Sequence, residues 1–263
     1  MSTWHVVPTE EAQRRGGGRR EVGAMVSKPM TSELNPGPGF RMRRHIGRPD
    51  PALVAGFREF ETPMISDLMN RLYTMCTAIR NVTAPHLRIL GPACTVKVFP
   101  GDNLMVHKAL DLAAPNDILV VDAGGSAMNA VLGDLVSTKA RHRKITGFVV
   151  DGYVRDIPGI VALDFPVYAR GVTPIGPLHR GPGEVNFPVQ CGGIVVHPGD
   201  IIVGDENGVV VIPQDAAASL LERLRMRRET EANYVAAVAR GEFSNAWVDA
   251  LLTQGGCEVV DPD

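Results

Sequence analysis

The stretch "GDLVSTKARHRKITGFVVDGYVRD", residues 133–156, changes character halfway. Its first half is amphipathic and closes on the solvated basic end "KARHRK". Its second half, "ITGFVVDG", is a short apolar run of the kind that forms a strand buried on both faces. The same alternation continues on either side. "DILVVD" (117–122) and "FPVYARG" (165–171) are further buried-strand runs, and "NLMVHKALDLAA" (103–114) has helical spacing at Leu104, Met105, His107/Lys108, Leu110 and Leu112. Strand–helix alternation from 88 to 170 predicts an α/β core with parallel pairing.

Outside this core the patterns differ. "PALVAGFREFETPMISDLMNRL" (51–72) reads as a helix broken near Thr62–Pro63, with Ser66 or Thr62 as cap. "RILGPACTVKVF" (88–99) is β-rich, with a bend at Gly91–Pro92. "GGIVVHPGDIIVGDENGVVVIP" (192–213) reads as a hairpin series with Pro-Gly-Asp and Glu-Asn-Gly turns. Residues 214–240 read as a long helix and 243–253 as a shorter one. Residues 1–45 are rich in Gly, Pro and charge and read as a tail, with Arg41, Arg43 and Arg44 solvated. The expected division is a tail (1–45), an α/β body (46–213) and a C-terminal helical extension (214–263).

Composition narrows the function classes. The 263 residues are 44% hydrophobic and 21% charged, as in ordinary globular proteins, and suffice for a large core. A formal charge of -2 gives no reason to expect a nucleic acid or a membrane as partner. The four cysteines form no CxxC and no zinc-type cluster, which suits a reducing compartment. No apolar run approaches the roughly 18–20 residues that span a bilayer. The N-terminal arginines are not followed by an apolar h-region, so a cytoplasmic protein is expected.

Ligands of open α/β sheets bind beyond the C-terminal ends of the strands. There "DILVVD" is followed by "AGGSAMNAVLGDL", and "ITGFVVDG" by "YVRD". If the two strands are neighbours, Gly133–Val136 and Arg155–Asp156 share one crevice. Met128, Val131, Leu132, Leu135 and Val136 would allow one helix over 126–143, but Gly133 inside it would cost up to about 1 kcal/mol. A new helix starting at Gly133–Asp134 is the better reading. It would turn the N–H groups of Asp134, Leu135 and Val136 toward an oxyanion. Arg155 could then fork a carboxylate or enolate, Asp156 could hold Mg²⁺, and Asp134 could orient a water. Asp-X20-Arg-Asp does not define a site by itself, because such pairs commonly form surface ion pairs. His107 and Cys191 read as packing residues, and Asp122 and Asp151 as turn residues. The irregular "GPLHRGPGEVNFP" (176–188) could cover a site or an interface.

The opening stretch also resembles the RraA-like family, which includes 4-hydroxy-4-methyl-2-oxoglutarate aldolases. That family carries an acid or Gly, twenty residues, then Arg-Asp. "TPMISDLMNRL", "GDNLMVHKALDLAAPNDILVVDAGG" and "NFPVQCGGIVVHPGDIIVGDENGVVVIP" resemble it in order, over most of 60–215. The resemblance implies a layered α/β sandwich with a central β core, of the swivelling β/α/β type, with C-terminal helices. It implies class II, metal-dependent cleavage of 4-hydroxy-2-oxo acids to pyruvate, with oxaloacetate decarboxylation as a side activity. Gly133, Asp134, Leu135 and Val136 would hold the pyruvate end of the substrate. Arg155 would contact its oxygens, Asp156 would bind Mg²⁺ or Mn²⁺, and Asp134 would act with a metal-bound water. An acid from a neighbouring subunit, Glu231 or else Glu229, would complete the site in a homotrimer or hexamer. The alternatives are a regulator of the RraA type that binds a ribonuclease, or a related lyase acting on another 2-oxo acid. One departure stands out: members often carry an acid three residues after the Arg-Asp aspartate, where this chain has Gly159. Pro158 also argues against a helix directly after the motif.

Overall fold

The computed structural model describes residues 33–83 and 86–260. The reading of 1–45 as a tail therefore falls largely on residues outside those described. The body, Pro36–Asp263, is one compact unit. Its elements in chain order are β1 (Phe40–Met42), α1 (Pro51–Gly56), α2 (Thr62–Leu68), β2 (Arg80–Asn81), β3 (Ile89–Val98), α3 (Leu104–Leu112) and β4 (Ile118–Asp122). Then follow α4 (Asp134–His142), β5 (Gly147–Val154), α5 (Ile157–Ala162), β6 (Val167–Val172), β7 (Gly183–Val185), β8 (Val189–Cys191) and β9 (Ile194–Val196). β10 (Ile201–Asp205), β11 (Gly208–Ile212), α6 (Ala217–Ala239) and α7 (Ala246–Gln254) complete the chain.

Strands β3, β4, β5 and β6 lie side by side and parallel. Every residue of β4 is buried, which explains its unbroken apolar run. β3 carries two partnerships along its length. Ile89–Pro92 pair antiparallel with β10, and Ala93–Lys97 pair with β4. Gly91 is where the chain before β4 passes closest, since a Cβ there would overlap the carbonyl oxygen of Asn116. β7 pairs antiparallel with the end of β3, and β1 pairs with β7. β1 falls in the segment read as tail. Arg41 and Arg43 are exposed, as expected of solvated side chains, but they are also engaged: both guanidiniums lie over the Phe187 ring, and Arg41 pairs with Glu184.

Three apolar layers result. On one face of the sheet, α3, α4 and α5 bury Val106, Leu110, Ala140 and Ile160 against Leu119, Val121, Phe148 and Val150. On the other face, Ile118, Val120, Val149 and Tyr168 meet β8, β9 and one side of the β10–β11 hairpin. The opposite side of that hairpin (Ile201, Val203, Val210, Ile212) packs on α1, α2 and the start of α6. The layered α/β architecture follows from these alternations of period two and 3.6.

Several local expectations need correction. β9 pairs with β8, so the Pro-Gly-Asp turn joins no hairpin; only β10 and β11 form the expected pair. The break between α1 and α2 is as expected, but neither Thr62 nor Ser66 caps with its own side chain. Asp205 does this instead, accepting from the Thr62 N–H at 2.8 Å and the Thr62 hydroxyl at 2.7 Å. α5 forms despite Pro158, because proline is tolerated in a helix's first turn, where no intrahelical N–H bond is lost.

Burial pushes the Asp205 carboxyl upward, but hydrogen bonds from Thr62 and Asn207 outweigh it and hold the pKa below the ordinary value. Its ionised form therefore stabilises the fold above the unfolded-state pKa of about 4, and that contribution is lost as pH falls through the lower folded value. Asp205→Ala is expected to cost about 2–3 kcal/mol at pH 7 by stranding the Thr62 donors. Urea denaturation should show that gap narrowing below about pH 4.

Candidate active site

The two halves of the opening stretch are joined by backbone hydrogen bonds. β4 ends at Asp122, whereas β5 runs on to Val154. The chain after β4 loops out and returns beside this overhang. Ala130 bridges Tyr153 in parallel, the Val131 N–H donates to the Tyr153 carbonyl at 2.9 Å, and the Arg155 N–H donates to the Leu132 carbonyl at 3.0 Å. A register shift between Val150 and Tyr153 re-aims the overhang. Gly133 is thereby set against Asp156, and α4 begins at Asp134 as the preferred reading required.

Three glycines face the three charged side chains. A Cβ at Gly133 would overlap the Asp156 carboxylate, and one at Gly176 would overlap the Arg155 guanidinium. A Cβ at Gly159 would lie 2.8 Å from the Asp134 Cβ and 2.9 Å from its Oδ2. Asp156 itself has φ 58°, the left-handed region that non-glycine residues enter at a cost. Arg155 Nε donates to Asp156 Oδ2 at 3.1 Å, and both side chains are about 40% exposed. The expectation for the Leu135 N–H is corrected: it donates to Asp134 Oδ1 at 2.7 Å. Among the described residues the N–H groups of Asp134 and Val136 have no acceptor, so two donors rather than three face outward. The Leu135 side chain is exposed and that of Val136 is buried, so Val136 can serve the site only through its N–H.

The donor set suits a hard divalent cation. Asp134 and Asp156 are both carboxylates, and Asp156 Oδ1 has no protein partner among the described residues. Asp134 Oδ2 likewise has no hydrogen-bond partner among the described residues. Mg²⁺ and Mn²⁺ favour oxygen donors, and Mg²⁺ is held by one or two carboxylates while keeping several waters. Among the described residues no three His, Cys, Asp or Glu side chains gather into a denser cage.

Other candidates fall elsewhere. Asp122 has the expected turn role, accepting from the Gly124 N–H at 2.9 Å, and also pairs with Lys97; Asp151 is not a turn residue but a buried ion-pair partner of Arg170 inside β5. They also accept from the N–H groups of Gln190 and Gly192, and so tie β8 to the sheet face away from α4 and α5. Glu231 lies on α6, paired with Arg227, beside a crevice lined by Glu59, Phe60, Pro63, Met64 and Asp67. None of these elements supplies Asp134, Arg155 or Asp156. His107 is half-buried and stacks edge-on against His179; burial, then Lys139 and His179, lower its pKa. The loop 173–181 overlaps the irregular stretch 176–188, which reads as a cover for a site or an interface, but the sequence does not signal its particular contacts. Asn129 Nδ2 donates to the Gly176 carbonyl at 2.7 Å, and Asn103 bonds both His179 and the Val131 carbonyl. No periodicity marks these residues, because the contacts join loops far apart in sequence.

The fold and cluster together define a layered α/β protein with a carboxylate–guanidinium group beyond the C-terminal ends of a parallel sheet. Residues 62–211 match the RraA-like family, described as Aldolase/RraA, and the chain belongs to that family. A protein of Halalkalibacterium halodurans, named "Putative 4-hydroxy-4-methyl-2-oxoglutarate aldolase", is 40% identical over 175 residues, covering 66% of this chain and 83% of that one. The crystal structure of Streptomyces coelicolor RraAS2, described as an unusual member of the RNase ES inhibitor RraA family, aligns with TM-score 0.66 at 27% identity. It covers 72% of this chain and 98% of that one. The RNA-processing inhibitor RraA from Thermus thermophilis aligns with TM-score 0.54 at 30% identity over 59% of this chain and 93% of its own.

Gly133→Ala and Gly176→Ala are expected to displace Asp156 and Arg155 respectively without unfolding the body. Crystal structures of the variants should show the moved side chains, and calorimetry with Mn²⁺ should show weaker binding only for Gly133→Ala.

Proposed function

We propose that this protein is a divalent-metal-dependent lyase that cleaves 4-hydroxy-2-oxo acids such as 4-hydroxy-4-methyl-2-oxoglutarate to pyruvate and also decarboxylates oxaloacetate. The observation that supports this most is the meeting of Asp134, Arg155 and Asp156 at the start of α4. Asp156, with Asp134, would hold Mg²⁺ or Mn²⁺. When bound, the ion supplies Lewis-acid polarisation of the 2-oxo and carboxylate oxygens. Arg155 offers its guanidinium to the oxygen that becomes negative as the C–C bond breaks. The N–H groups of Asp134 and Val136 orient the pyruvate carboxylate. Asp134 receives the proton of the 4-hydroxyl through a water as the carbonyl product forms. Loss of CO2 from oxaloacetate leaves the same enolate, so Arg155 serves both reactions.

In this reading residues 46–213 form the catalytic body and 214–263 reach a neighbouring subunit, where Glu231 approaches the neighbour's site. The exposed apolar side chains of Tyr234, Val235, Trp247 and Leu251 favour such a contact, in a trimer or hexamer. α7 buries none of its residues within its own chain. A second reading, regulation of a ribonuclease by direct contact, draws on the names of the two inhibitor relatives.

Pyruvate release from oxaloacetate or 4-hydroxy-4-methyl-2-oxoglutarate should require Mg²⁺ or Mn²⁺ and stop on chelation. Arg155→Ala and Asp156→Ala should each lower turnover by at least about 100-fold with unchanged circular dichroism. Folded, metal-loaded protein that turns over neither substrate, yet captures an RNA-degrading enzyme, would replace this reading with the second. Mixing inactive Asp156→Ala with inactive Glu231→Gln should restore activity through hybrid oligomers if the site is shared; no recovery would place Glu231 outside it.

A further inference from the structure

We infer that the opposite pole of the sheet carries a second binding site, for an amphipathic carboxylate: an apolar body with one anionic head. A cavity of about 760 Å³ opens there. It lies at the N-terminal ends of the parallel strands, between α1, the start of β3 and the loops that enter β4 and β5. Asp134, Arg155 and Asp156 belong to the other ends of those strands, so the two sites are separate. The volume is in the range that holds small organic ligands, about 300–1,000 Å³.

The lining has the composition of a ligand pocket. Pro49, Val54, Ile89, Leu90, Pro92 and Val203 make apolar walls. Three arginines also line it, in different states. Arg48 is neutralised by the buried Asp117 through two hydrogen bonds, at 2.8 and 2.7 Å, and serves as wall. Arg88 donates to the carbonyls of Phe60 at 2.7 Å and Arg58 at 3.5 Å, so its charge faces no carboxylate. The exposed Arg58 side chain has no hydrogen-bond or ion-pair partner among the described residues. The rim carboxylate, Asp50, is engaged by the Ala52 N–H at 2.7 Å. Among the described residues neither the Arg58 nor the Arg88 guanidinium, both exposed at the cavity edge, forms an ion pair, and two such guanidiniums beside apolar walls complement an anionic head on an apolar body.

The cavity is also preformed. Asn116 sits in the left-handed region at φ 72°. Its N–H donates to the Lys144 carbonyl at 2.8 Å, and its carbonyl accepts from Thr146 Oγ1 at 3.2 Å. Gly91 admits that carbonyl where any side chain would collide. A wall fixed this way loses little freedom on binding.

The test is calorimetric titration of the full chain with octanoate and with its neutral isostere octanamide. Octanoate is expected to bind saturably at one site per chain, and octanamide at least about tenfold more weakly. Arg58→Glu should weaken octanoate binding by a similar factor, and Ala55→Trp, which fills the mouth, should abolish it. Arg155→Ala should leave it unchanged. Absence of saturable octanoate binding would overturn the inference. So would equal binding of acid and amide, insensitivity to both pocket variants, or loss of binding in Arg155→Ala, which would move the carboxylate to the other pole.

Discussion

The candidate site depends on two backbone hydrogen bonds, from Val131 to Tyr153 and from Arg155 to Leu132. β5 outlasts β4, and an unpaired strand overhang leaves donors and acceptors that must be satisfied. The returning chain meets that need with three residues, 130–132, before turning into α4. Because the pairing fixes register, it also fixes which residue stands beside which. Gly133 meets Asp156, and the first turn of α4 starts where the Arg-Asp pair emerges. The loop 173–176 adds a third strand-like layer through the Ala130 N–H and the Ile175 carbonyl. Charge contributes little to this assembly; the arrangement is set by main chain before any side chain is considered.

Much of this was legible in the sequence, because the relevant forces are local or periodic. "DILVVD" and "ITGFVVDG" announce doubly buried strands by lacking polar alternation. The helix break at Gly133 follows from the cost of glycine inside a helix. What the sequence concealed was long-range. Asp205 caps α2 from 143 residues away, and nothing near Thr62 hints at it. Asp122 ends β4 and Asp151 lies inside β5, and nothing local shows that both carboxylates are buried under β8, with Lys97 and Arg170 across from them on neighbouring strands. The contact of Gly176 with Arg155 joins a loop to a strand end, and no spacing rule reaches that far.

The division of the sheet into two faces keeps structure and chemistry apart. On the β8 side, the carboxylates of the paired charges are enclosed and serve to pin a hairpin. On the α4 side, the charges stay half-exposed, with oxygens and N–H groups left without protein partners. Both sets sit at the same ends of the same strands. Alternation along β4 and β5 turns Asp122 and Asp151 toward β8, whereas Asp134 opens α4 and Asp156 follows the register shift at the end of β5.

Gly159 changes meaning once its surroundings are known. A Cβ at position 159 would meet the Cβ and Oδ2 of Asp134, so one volume beside the Arg-Asp pair can be filled from either of two helices, α4 or α5. Here α4 fills it, and α5 contributes only hydrogen. The two positions therefore compete for one volume. An acid added at 159 beside Asp134 would crowd two side chains into one space, and removing Asp134 alone would leave that space empty. Moving the acid from α4 to α5 thus takes paired substitutions.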